Sequence, residues 1–188
     1  MGAYYELINT IFEAGDSEGR LHNRVVAFTS VSPEVDVSSV LQSFAKNLVD
    51  KTKKRVVIVD ARAFHDLEPA DSKNVLRQCA PTGIDNLLIL SAAGRGRRVA
   101  TERPMRIAGW HSSPQIRQTY LQSLRSNFDY VIIDCPALSA SSDVKALAPN
   151  IHGVVVVVDA PRTRVRRIHT SQHVVESAGG KFLGYILN

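Results

Sequence analysis

The 188-residue sequence predicts one α/β domain, a mainly parallel sheet with helices on both faces. Three observations point that way. Short β-branched runs recur along the chain, each run is continuously apolar, and segments of helical period lie between them. Continuous apolarity marks strands buried on both faces. Strands alternating with helices require crossover connections, and those join parallel strands.

The first 23 residues stand apart. Tyr4, Ile8, Ile11 and Phe12 fall on one helical face, followed by a polar turn from Gly15 to Gly19. Residues 1–23 therefore read as an amphipathic helix and linker, packed on its own domain or docked on a partner. The α/β domain spans 24–188. Its strands are expected at Arg24 to Ser30, Arg55 to Asp60, Leu87 to Leu90, Tyr130 to Asp134, Val154 to Asp159 and Phe182 to Leu187. Between the first two, Ser38 to Asp50 carries Leu41, Phe44, Ala45, Leu48 and Val49 as one helical stripe. In Pro114 to Phe128, Ile116, Tyr120, Leu124 and Phe128 recur every fourth residue, and Pro114 suits a first helical turn. Arg164 to Ala178 sets Val165, Ile168 and Val175 on one face and ends at Gly179–Gly180.

With 44% hydrophobic and 22% charged residues, the composition excludes collagen-like, low-complexity and wholly disordered classes. Two cysteines, Cys79 and Cys135, give no disulfide framework. The longest apolar run, Val154 to Val158, is too short to cross a bilayer, and the N-terminus has no basic leader. The expectation is a cytoplasmic protein, with the inner face of the cell membrane as a peripheral location. Much of the basic excess behind the net charge of +5 sits in Arg95, Arg97, Arg98, Arg103 and Arg106, then in Arg162, Arg164, Arg166 and Arg167. Such clusters bind phosphates, an anionic membrane surface or an acidic partner, or simply form solvated basic surface. No aromatics interleave with them, so nucleic acid is not the expected partner.

The segment from Ser30 to Ser39, Ser-Val-Ser-Pro-Glu-Val-Asp-Val-Ser-Ser, links the first strand to a helix. In open α/β sheets ligands bind at such places, beyond the carboxyl ends of strands. Together with VVIVDA, FDYVIID, VVVVVDA and the closing GYILN, this loop resembles the tyrosine-kinase (BY-kinase) domain of bacterial polysaccharide-export systems. That family belongs to the deviant-Walker P-loop ATPases of MinD and ParA type. The resemblance covers about Arg24 to Asn188. It implies a P-loop NTPase-like fold, Mg-ATP as ligand, and work in exopolysaccharide or capsule export beside a membrane co-polymerase. Self-association is also common in the family.

The loop departs from the family pattern Ser-x-x-Pro-Gly-Glu-Gly-Lys-Ser-Thr. Ser30, Pro33 and Ser38 match, and Ser39 replaces threonine. Glu34 and Asp36 stand where glycines let the backbone approach phosphate, and Val37 stands where lysine supplies a cation. At about 4 Å and an effective dielectric near 20, each unit-charge pair is worth about 4 kcal/mol, so repulsion in place of attraction removes decades of affinity. Asp60 resembles the carboxylate that helps hold the metal, and Arg62 replaces a second acidic position. Asp134 resembles the Mg²⁺-holding carboxylate, beside Cys135 where threonine is usual. Both aspartates also read as solvated carboxylates at strand ends. Asn188 matches the family's adenine-contacting asparagine.

The leading expectation is a degenerate, non-catalytic relative, regulating or assembling an export complex, with no cofactor. One alternative is an active Mg-ATP-dependent tyrosine kinase or ATPase, with Ser38 and Asp134 at the metal. A second is a ParA- or MinD-like module that binds DNA or anionic membrane through its arginines. In the emptied site Arg62 is expected to pair with Asp36, or else with Asp60 or Asp134. The pair His169 and His173 lacks a third metal ligand, and Ser30, Ser32 and Ser38 lack evident nucleophile partners.

Overall fold

The computed structural model describes residues 6–13, 24–65, 67–92, 112–159, 161, 163 and 165–188. Its strands are β1 (Arg24–Ser30), β2 (Val56–Asp60), β3 (Ala80–Pro81), β4 (Leu87–Leu90), β5 (Tyr130–Asp134), β6 (Gly153–Val158) and β7 (Phe182–Leu187). They form one sheet in the order β3-β4-β2-β5-β1-β6-β7, parallel throughout except for the β3–β4 pair. The helices are α1 (Val37–Thr52), α2 (Val75–Gln78), α3 (Pro114–Asn127), α4 (Asp143–Leu147) and α5 (Val165–Ser177). The two-residue β3 and the short helices, including 3₁₀ turns at Ala61–Phe64, Asp71–Asn74 and Ala148–Asn150, have no counterpart in the sequence reading. Each is too short to show a period.

The continuously apolar strands serve two cores at once. Val25, Ala27, Val57, Val59, Val131 and Ile133 face one layer, where Tyr120, Leu121 and Leu124 of α3 cover them. Their neighbours Val26, Phe28, Val56, Ile58 and Ile132 face the other, covered by Leu41, Phe44, Ala45 and Leu48 of α1. Each buried Val, Leu, Ile or Phe side chain contributes about 1.5–3 kcal/mol.

Ile8, Ile11 and Phe12 are buried in the α1-side core. Phe12 stands edge-on to Tyr130 with ring centroids 4.8 Å apart and lies 6.2 Å from Phe44. Asn9 accepts a hydrogen bond from Lys51 of α1. Of the two roles open to this segment, the structure displays packing on its own domain.

Helix ends follow local chemistry. Asp36 caps α1 and Ser113 caps α3, the latter with Pro114 at its first turn. After α1, Lys53 takes a left-handed conformation at φ 57°, and its N–H donates to the Val49 carbonyl. Among the described residues no helix is long and apolar enough to cross a membrane.

Candidate functional site

Register sets the site. Asp60 ends β2 and Asp134 ends β5, and the two are Cα partners on adjacent parallel strands. Phe28 of β1 pairs with Asp134 from the other side, so β1 delivers the Ser30–Ser39 loop to the same end of the sheet. The result is a cleft of about 570 Å³. Pro33, Asp36, Val37, Ser38, Asp60, Arg62 and Asp134 line it, together with the apolar Ile58 and Ile89.

The polar groups of the cleft bond chiefly to one another. Asp36 accepts from the Ser39 amide at 3.1 Å and from the Ser39 hydroxyl at 2.5 Å. These bonds hold its carboxyl below the usual range. Ser38 donates to Asp134 at 2.6 Å. Burial pushes the Asp134 carboxyl up, against the Ser38 bond that lowers it, and the nearby Asp60 charge raises it further. Arg62 closes on Asp60 with Nε at 3.0 and 3.1 Å and Nη2 at 2.7 Å, and its backbone N–H donates to the same carboxylate at 3.0 Å.

The expectation that Arg62 pairs with Asp36 is corrected by this geometry. Asp60 opens the 3₁₀ turn that contains Arg62, so the two meet two residues apart. Asp36 meanwhile caps α1. The Arg62 side chain keeps 66% of its surface exposed, so the pair adds little stability.

No family model matches the chain. The succinoglycan biosynthesis transport protein ExoP of Rhizobium meliloti (strain 1021) is 29% identical over 179 residues. That match takes in 88% of this chain and 22% of ExoP, so the chain spans about a fifth of that relative. The kinase domain of the Escherichia coli tyrosine kinase ETK superposes with a TM-score of 0.71 at 15% identity, over 99% of this chain and 74% of that one. The Pyrococcus furiosus cell-division ATPase MinD gives 0.61 at 19% identity, over 88% and 72%. These two likenesses concern fold. This chain has the fold shared by BY-kinase domains and MinD-type P-loop ATPases.

Within this fold the cleft gathers Ser30, Pro33, Asp36, Val37, Ser38, Asp60, Arg62 and Asp134 from the residues singled out in the sequence. Glu34 and Ser39 are exposed beside it. A hydrogen bond from Ser32 holds the Glu34 carboxyl below its usual range, with smaller help from the Arg167 charge on α5. Asn188 follows β7, two strands beyond β1, with its N–H on the Val158 carbonyl, and is not part of the cleft wall. Arg166 and Arg167 are exposed on α5, whereas Arg95, Arg97, Arg98, Arg103, Arg106, Arg162 and Arg164 lie outside the described residues.

Cys135 is buried, and loss of hydration raises its thiol well above the usual range, as expected of a small core residue. Among the described residues no group of three or more His, Cys, Asp or Glu is placed to hold a metal. Sequence reasoning missed one pair near the cleft: His65 Nε2 lies 3.0 Å from Asp143 Oδ1. Asp143 is buried, and its second oxygen has no hydrogen-bond partner among the described residues. The two are 78 positions apart, and no motif links them.

Proposed function

We propose that this domain has lost efficient binding and hydrolysis of ATP and acts as a regulatory or assembly partner in exopolysaccharide or capsule synthesis and export. The observation that carries the reading is the loop after β1. Val37 offers no cation there, and Asp36 sets a carboxylate against the start of α1, so a polyphosphate meets repulsion where phosphate loops attract it. These residues do not fit Mg-ATP. The pathway rests on similarity to ExoP, and the partner is a membrane polysaccharide co-polymerase or another protein of the export complex.

Calorimetric titration with Mg-ATP and Mg-ADP to millimolar concentration tests the reading. No heat and an unchanged melting temperature are expected. Micromolar binding overturns it.

One observation favours a second reading, an active Mg-ATP-dependent tyrosine kinase. Ser38 and Asp134 remain 2.6 Å apart, a hydroxyl and a carboxylate set side by side as a shared cation would need them. Phosphate release from ATP that disappears in Asp134→Ala would establish that reading.

A further inference from the structure

We infer that Asp36 is a built-in stand-in for a ligand phosphate: its carboxylate takes the anion position at the start of α1, keeps phosphate groups out, and holds the loop closed without a nucleotide. The inference rests on the reading above and names how that same site is held.

A helix N-terminus presents unpaired N–H groups and a partial positive charge, which phosphate-binding loops use for their ligand. α1 runs for 16 residues, so its N-terminus carries the full effect. In this chain the place is filled from within. Oδ1 of Asp36 accepts the Ser39 amide at 3.1 Å, and Oδ2 accepts the Ser39 hydroxyl at 2.5 Å. The Ser38 amide adds to the stabilisation of that charge.

A second observation, at the ends of β2 and β5, points the same way. Both oxygens of Asp60 are taken by Arg62, and Asp134 holds the Ser38 hydroxyl. The chain thus supplies its own anion at α1 and its own cation at β2. With glycine at position 36, α1 would begin with open amides. Aspartate both fills that space and repels the ligand.

The test uses the full chain, its Asp36→Gly and Asp36→Ser variants, and inorganic pyrophosphate as probe. Serine keeps a capping hydroxyl while removing the charge, so it decides the matter if the glycine variant does not fold. Both variants are expected to bind pyrophosphate at least ~10-fold more tightly than the unsubstituted chain, the effect of removing one modest repulsion. Pyrophosphate should also raise their melting temperatures and slow amide exchange at Ser38 and Ser39, with no such response in the unsubstituted chain.

Folded variants that bind no more tightly than the unsubstituted chain overturn the inference. Equal pyrophosphate binding by the unsubstituted chain also overturns it. Mg-ATP binding by the unsubstituted chain instead defeats the proposed function. Silence toward Mg-ATP, combined with unresponsive variants, defeats this inference alone.

Discussion

The loops after β1 and β5 leave neighbouring strands at the same end of the sheet, yet they have kept different things. After β5, the fold itself holds the segment from Cys135 to Leu138. The Cys135 amide donates to the Phe28 carbonyl, the Leu138 amide to the Ser30 carbonyl, and the buried Thr29 hydroxyl to the Pro136 carbonyl at 2.7 Å. After β1, Glu34 and Asp36 are exposed. Where backbone bonds tie a segment into the core, its chemistry survives with the fold. Where side chains stand in solvent beyond the strand ends, the fold stands whatever residues they are.

The largest expected effect tests whether α1 anchors the first loop. Phe44 is fully buried, 5.0 Å from the Phe28 ring, and Phe44→Ala should cost about 3–5 kcal/mol in chemical denaturation. A cost below about 1 kcal/mol would mean the loop's foundation lies elsewhere.

Thr29→Val sharpens the claim for the second loop. It leaves the Pro136 carbonyl without its donor and should cost about 1–3 kcal/mol in the same measurement.

Smaller effects come from the carboxylates. Asp36→Ala removes the α1 cap and should lower the melting temperature by roughly 2–4 °C near neutral pH. The folded Asp36 carboxyl lies below its usual range, so its stabilisation is present above the unfolded carboxyl range and is lost as pH falls through the folded value. The variant's deficit should therefore close in acid.

Asp134 runs the other way. Burial raises its carboxyl, so the stability it contributes is full below the unfolded range and is lost as pH rises through the folded value. Asp134→Asn should be neutral or stabilising by about 1 kcal/mol or less near pH 7, and that gain should vanish below about pH 4. Thermal melts across pH check both signs, and a marked destabilisation by Asp134→Asn at neutral pH would contradict the second.

The sequence revealed most where burial imposes a pattern. β1 and β5 have the expected ends, because both-sided burial writes an apolar run with sharp polar borders, and half-buried β4 and β7 match as well. β2 begins one residue later than expected, since Arg55 instead donates its amide to Asp129. β3 escaped notice because two residues ending in proline carry no period. Asp60 and Asp134 were visible as carboxylates closing apolar strands. Arg62 meets Asp60, one of the three carboxylates expected for it, because a turn joins near neighbours without closing a long loop. His65 and Asp143 meet only through the tertiary fold, which no local spacing records.

Adjacent residues of each strand feed opposite cores, Val25 and Ala27 one way and Val26 and Phe28 the other. A single inserted or deleted residue within such a strand would exchange the two sets of side chains and spoil both layers together. Strand lengths in this domain are thus locked in pairs, and the site stays open to change only through residue identity or at its loops. The segment from Ser30 to Ser39 follows β1, so its exposed residues Glu34, Asp36, Ser38 and Ser39 can differ without moving either layer.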